Sequence, residues 1–182
     1  MQKAYFEDPS LAEHRDELVD RCGQVVQWGR SLGLPLINVR TEHRRDRSTW
    51  TLNMLQDDQG FLFTGDDDTA VLDGLDLTGA IDVVKTRDDA FLGTDLADVV
   101  DRLGLEVFIL IGVSTHTCVA ATAAHAFARQ LEVILVRDAI ASHRPELHEL
   151  TLDVLRDEYR LPVMAVEALR RIRARAEETA AG

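Results

Sequence analysis

Cys118 and Lys85 are the two residues of this chain whose chemistry and position together point to catalysis. Cys118 lies in Ile111-Gly112-Val113-Ser114-Thr115-His116-Thr117-Cys118-Val119. That stretch follows an apolar run over 107–111 that reads as a buried strand, and it leads into an alanine-rich segment over 120–128 that reads as a helix. The first backbone N–H groups of a helix have no intrahelical partner and carry partial positive charge, which favours a thiolate, the nucleophilic form of cysteine. A buried structural cysteine is the plainer alternative on placement alone. Lys85 closes Ile81-Asp82-Val83-Val84-Lys85, which reads as a short strand. In open parallel sheets, ligands bind at the carboxyl ends of the strands, and both residues fall there. A solvated side chain is the alternative for Lys85. Brought together, the two make a cation beside a thiol, a pairing suited to attack on a carbonyl.

The elements that must position this pair alternate between strand and helix. Ser10 and Glu13 read as a capping box, opening a helix that carries Leu11, Leu18, Val19, Cys22, Val25, Val26 and Leu32 and ends at Gly33. Cys22 falls on the apolar stripe of that helix, a core position. Strands are expected over 34–39, 81–85, 106–111, 132–136 and 161–166, the last at an edge. Thr94 can cap a helix with Leu96, Val99, Val100 and Leu103, closed by Gly104. Pro145 opens a helix with Leu147, Leu150, Val154 and Leu155, and a charged helix with Leu169 and Ile172 on one side is expected over Glu167–Ala180. Residues 40–79 show no sustained period, although Trp50, Phe61 and Phe63 argue against plain disorder. The alternation predicts an α/β fold: three layers, an open parallel sheet with helices on both faces.

The totals bound the function. A length of 182 residues predicts one domain, and 46% hydrophobic residues suffice for a sizeable core. A net charge of -12 argues against nucleic-acid binding, and the basic run Arg170–Arg175 is too short to reverse that. Two cysteines, Cys22 and Cys118, lie far apart with no C-x-x-C pair, so neither a zinc site nor a disulfide framework is indicated, and a reducing cytoplasmic setting fits. No stretch reaches ~18 apolar residues, so no membrane span is expected. The first eight residues lack the apolar segment of a signal peptide.

Val83-Val84-Lys85-Thr86-Arg87-Asp88-Asp89-Ala90-Phe91, then Thr94 and Leu96, then Gly112 to Val119, then Asp138-Ala139 and Ser142, resemble the isochorismatase-like cysteine hydrolases, over essentially the whole chain. That superfamily includes nicotinamidases, carbamoyl-sarcosine and ureidoacrylate amidohydrolases, and isochorismatases. The resemblance implies a triad of Asp, Lys and Cys. Lys85 and Cys118 carry two of its members. The Asp ends the first strand in a pattern like Asp-Met-Gln-Lys-x-Tyr-Phe, whereas this chain opens Met1-Gln2-Lys3-Ala4-Tyr5-Phe6. The first strand of the family is therefore expected to be absent from these residues, leaving five strands where the family has six. Three outcomes are expected from this: a truncated product of a start codon assigned too late, an architecture rearranged around the gap, or a strand supplied by another copy. Glu7 and Asp8 fall in the following loop and read as solvated carboxylates.

The resemblance implies acyl transfer, with a thioester on Cys118, Lys85 stabilising charge, and an oxyanion held by the backbone N–H groups of Ser114 and Cys118. It also implies a cis peptide at Val113–Ser114. The presence of Cys118 favours amide or ureide hydrolysis over vinyl-ether cleavage. A catalytically incompetent member acting as a binding or assembly subunit is the alternative. Nicotinamidases bind metal through an Asp-x-His pattern where this chain has Thr41-Glu42-His43, so neither metal nor cofactor is expected and nicotinamide is not the leading substrate. Tyr5, Phe6, Trp50 and His116 are candidates for the substrate pocket, and His125 and His148 are placed at the surface of their helices. The expected partners are a small-molecule substrate and, by the habit of the family, further copies of the chain, for which the apolar loop around Trp50 is a contact candidate.

Overall fold

The structure, a computed structural model, describes residues 1–172. Every ladder is parallel. Strand β1 (Ile37–Thr41) pairs with β2 (Ile81–Lys85), Ile37 opposite Ile81 and Thr41 opposite Lys85. Strand β3 (Val107–Val113) pairs with β4 (Glu132–Ala141), which pairs in turn with β5 (Val163–Met164). Among the described residues these five strands form two ladders, β1–β2 and β3–β4–β5, and β1 is not bonded to β3.

Helices cover both faces. On one, α2 (Arg15–Ser31) packs against β3 and β4, so that Leu18, Cys22 and Val25 meet Val136, Ala139 and, from a helical segment over 166–172, Val166 and Leu169. On the other, α4 (Leu96–Leu103), α5 (Ala120–Ala128) and α6 (Pro145–Asp157) bury Leu96, Val100, Ala123, Ala126, Leu152 and Leu155 against the sheet. Along β4, Val133 and Leu135 join this second core while Ile134 and Val136 join the first, the period-two alternation of a strand covered on both sides. Short helices α1 (Pro9–Ala12) and α3 (Leu52–Asp57) complete the set, and α3 with a 3-10 turn at Asp67–Thr69 gives the 40–79 segment its order.

Several boundaries differ from the sequence expectation. The capping box is replaced by a cap two residues earlier: Asp8 accepts the Ser10 N–H at 2.9 Å, α1 ends after one turn, and α2 starts afresh at Arg15. Asp8 is thus a helix cap, and Ser10 bonds hold its carboxyl below the ordinary range. At α4, Thr94 Oγ1 accepts from Leu96 N–H at 3.2 Å, and Gly104 closes the helix in the left-handed region at φ 60°. The apolar stripe of α6 is out of phase with the reading: Leu152 and Leu155 are buried, while Leu150 is 59% exposed and Val154 also faces out. His148 lies on the buried stripe, four residues before Leu152, and a polar residue there hides the true period. Strand β5 is shorter than 161–166, and Ile172 is exposed rather than sharing a buried side with Leu169. The rest of the expected final helix, with Arg173 and Arg175, lies outside the described residues.

This phase is checked by urea unfolding. Leu152→Ala is expected to cost about 2–5 kcal/mol, and Leu150→Ala no more than about 0.5 kcal/mol. The reverse order would place α6 about half a turn away.

Candidate active site

Because all strands run one way, the carboxyl end of β2 and the turn after β3 reach the same rim. There Lys85 Nζ donates to Cys118 Sγ at 3.3 Å and to the Arg87 carbonyl at 2.7 Å. Lys85 is only 5% exposed, so the solvated-side-chain alternative does not hold. A buried ammonium must have its hydrogens taken up by acceptors, and the thiol is one of them. Cys118 is half-buried and therefore reachable from solvent. Its thiol donates to Asp88 Oδ1 at 3.5 Å, and Asp88 is exposed.

The turn that presents Cys118 is of π type, Thr115–Val119, so the cysteine sits in a widened turn just ahead of α5 rather than in regular helix. The Val113–Ser114 peptide leading into it is cis. The N–H groups of Thr117 and Val119 both point to the Ser114 carbonyl, at 3.3 and 3.1 Å, which folds the turn back on residue 114. Side chains fix it from outside. His148 Nδ1 on α6 lies 2.8 Å from Thr115 Oγ1, and His116 Nδ1 lies 2.7 Å from Ser142 Oγ, which also accepts the Arg144 N–H at 2.9 Å. The His116 and His143 rings stand 4.9 Å apart.

A second set of bonds holds the segment after Lys85. Asp89 Oδ2 lies 2.6 Å from His125 Nδ1 on α5, and that imidazole rests on Phe91 at 4.8 Å. The Ala90 N–H donates to Thr122 Oγ1 at 3.1 Å, and Arg87 donates to the Thr49 carbonyl at 2.7 Å. His125 and His148 are therefore half-buried braces bonded to other elements rather than freely exposed helix residues, which corrects the reading from helix periodicity. Neither partner, Asp89 nor Thr115, sits near its histidine in sequence, so no local signal announces these pairs.

The pocket candidates separate. His116 lies in the Cys118 turn itself. Tyr5 Oη donates to Thr41 Oγ1 at 3.3 Å and its ring meets Phe61 edge-on; burial raises its phenol above the ordinary value. Phe6 packs with Leu11, Leu18 and Cys22 in the core, so it is not a pocket residue. Phe6 is the buried residue of the short turn Lys3–Glu7, and Tyr5 packs half-buried against the same core. Trp50 contacts Arg44, Arg47 and Phe63 within its own loop. His43 is buried with Nδ1 2.9 Å from the Thr49 carbonyl, and Thr41 is held by Gln2 and Tyr5. Among the described residues, no group of three or more His, Cys, Asp or Glu side chains is arranged to hold a metal ion, and no helix is long and apolar enough to cross a membrane.

The two thiols are chemically unequal. Cys22 is fully buried, donates to the Ala139 carbonyl at 3.2 Å, and is pushed up to about 12 by burial. Iodoacetamide under native conditions is expected to modify Cys118 and spare Cys22, read by peptide mass spectrometry; equal labelling would contradict the assigned burial. The histidines give a pH signature. Burial is the main cause holding His43, His116 and His148 below the ordinary 6.5. The unfolded chain then binds these protons more readily than the native one, so their contribution is complete above about pH 6.5 and is lost as pH falls through the lowered native values. Urea midpoints are expected to drop between pH 7.5 and 5.5; a rise over that window would contradict the burial.

Comparisons with known proteins identify the family of the chain. The Isochorismatase domain family matches residues 1–168. A relative described as a probable inactive nicotinamidase of Arabidopsis thaliana is 28% identical over 157 residues, covering 81% of this chain and 80% of its own length. The crystal structure of an isochorismatase family protein from Desulfovibrio vulgaris superposes with a TM-score of 0.79 at 25% identity, covering 86% of this chain and 84% of that one. That of N-carbamoylsarcosine amidase from Thermoplasma acidophilum gives 0.71 at 26% identity, covering 82% and 83%. The chain, with its parallel α/β architecture and its lysine–cysteine rim, belongs to the isochorismatase family.

Proposed function

We propose that this protein hydrolyses a C–N bond of a small-molecule amide or ureide through a thioester on Cys118. The observation that carries this reading is the 3.3 Å contact between the buried Lys85 ammonium and the accessible Cys118 sulfur. The ammonium favours the thiolate and meets the charge that develops as sulfur attacks the carbonyl carbon. The thiol proton passes to a carboxylate. Asp88 presents one 3.5 Å from the sulfur. The tetrahedral oxyanion is received by the N–H groups of Ser114 and Cys118. Its collapse expels the protonated amine and leaves an acyl group on sulfur, which water then releases as the carboxylic acid, restoring the thiol. The name of the Thermoplasma relative supports the carbamoyl class of substrate.

A second reading rests on two observations: the carboxylate at the sulfur belongs to an exposed residue, and a relative is described as inactive. In that reading the pocket binds without turning over. One experiment separates the two. The protein is incubated with a panel of small amides and ureides, and intact mass is recorded after acid quench. An acyl adduct on Cys118, lost in Cys118→Ala together with all turnover, is expected. Full turnover in Cys118→Ala would remove the nucleophile assignment, and the absence of any adduct or product across the panel would favour the binding role.

A further inference from the structure

Three side chains on one helical face meet the segment that follows Lys85. Cys118, Thr122 and His125 recur at intervals of four and three, one turn apart, and so look the same way along the π turn and α5. Cys118 Sγ stands 3.3 Å from Lys85 Nζ and 3.5 Å from Asp88 Oδ1. Thr122 Oγ1 accepts the Ala90 N–H at 3.1 Å, and His125 Nδ1 lies 2.6 Å from Asp89 Oδ2. Residues 86–91 form neither helix nor strand, so no ladder fixes the place of Asp88 among them.

Asp88 is exposed, and water solvates a carboxylate well, so a 3.5 Å contact with a thiol does not by itself keep it at the sulfur. The backbone on either side must do so. Before Asp88, the Arg87 carbonyl accepts from Lys85 Nζ at 2.7 Å and the Arg87 guanidinium donates to the Thr49 carbonyl at 2.7 Å. After it, Asp89 divides its two oxygens: Oδ1 accepts the Phe91 N–H at 2.9 Å, and Oδ2 meets His125. An ionised carboxylate only accepts, so in that contact Nδ1 of His125 carries the hydrogen. The imidazole is held in turn. Its ring lies 4.8 Å from that of Phe91, which the Arg129 guanidinium covers at 5.5 Å, and the buried Phe91 meets Phe108 of β3 edge-on.

We propose that His125 is a positioning residue for the attack: through Asp89 it holds the Asp88 carboxylate at the Cys118 sulfur. The helix that delivers the nucleophile also carries, two turns on, the group that aims the carboxylate at it. Nucleophile and carboxylate are thereby referred to one rigid body, α5, although they lie 30 residues apart in the chain. His125 touches neither the sulfur nor the carbonyl under attack; it acts through the main chain between Asp89 and Asp88. The inference deepens the proposed hydrolysis and rests on that reading for its effect on turnover. Its effect on the charge beside the sulfur is read without any substrate.

Iodoacetamide is neutral and iodoacetate anionic, yet both alkylate the same thiolate. The ratio of their rates at one pH and low salt therefore cancels the thiolate fraction and reports the charge beside the sulfur. Asp88→Asn leaves the Lys85 ammonium there without the opposing carboxylate, and is expected to speed iodoacetate relative to iodoacetamide about threefold. His125→Leu, which keeps an apolar contact on Phe91 and lacks the donor, is expected to move the ratio the same way. His125→Asn, whose amide offers an N–H in place of Nδ1, is expected to restore it. The double variant Asp88→Asn/His125→Leu is expected to match Asp88→Asn alone. Protection of Cys22 from both reagents verifies each fold, and Asp89→Ser, which keeps an acceptor for the Phe91 N–H but loses the reach to His125, repeats the reading from the other partner. In turnover, kcat of His125→Leu is expected to fall roughly tenfold with KM within about twofold. A parent protein without turnover would remove the hydrolase reading and leave the ratios to decide this one. A ratio unmoved by Asp88→Asn, unmoved by His125→Leu and Asp89→Ser, or shifted by His125→Leu in full addition to Asp88→Asn would overturn the proposal.

Discussion

The shared direction of the strands is the constraint on which the site depends. A parallel sheet gathers all its carboxyl ends on one rim, and each crossover must return over a helix before the next strand begins. Lys85 closes one strand and Cys118 follows another, 33 residues later, yet their atoms stand in contact. Neither side chain could reach the other from opposite ends of the sheet. The apolar packing on both faces therefore does more than stabilise: by fixing strand direction and register, it sets the distance between an ammonium and a sulfur.

The second requirement is that the two segments carrying these groups stay still. Here polar side chains do what the apolar core cannot. His148 reaches from α6 to Thr115, His116 to Ser142, His125 from α5 to Asp89, and Arg87 to the loop at Thr49. Each bond ties a rim loop to an element anchored in the core. Such pairs hold a constellation in place at the cost of dehydrating imidazoles, which is why His116 and His148 favour their neutral form.

The parts legible in the sequence were those with a short period or a local motif. Strand β2 was readable to the residue because Ile81–Lys85 is a compact run rich in β-branched residues, and the lysine–cysteine pairing was readable because Lys85 ends a strand and Cys118 falls between a strand and a helix. The phase of α6 was not, since its buried stripe contains His148, whose reason for burial lies on another element. The roles of Phe6 and Trp50 were equally hidden: an aromatic ring fits a pocket, a core and a loop alike, and only the neighbours brought by the fold decide among them. The 40–79 segment failed to announce α3 because a helix of 6 residues is too short to show two repeats of its period.

Gln2 carries a consequence beyond its own position. Its carboxamide grips both backbone groups of Thr41 and also the Thr69 carbonyl, while the Met1 carbonyl receives Leu72 and the Lys3 N–H reaches Ala70. Three consecutive residues thus fasten the end of β1 to the segment 69–72, as a clasp fastens two covers. Thr41 stands opposite Lys85 in the ladder, so loss of the Gln2 carboxamide would leave the lysine and the sulfur in the polypeptide and yet release the strand end against which the ammonium is set.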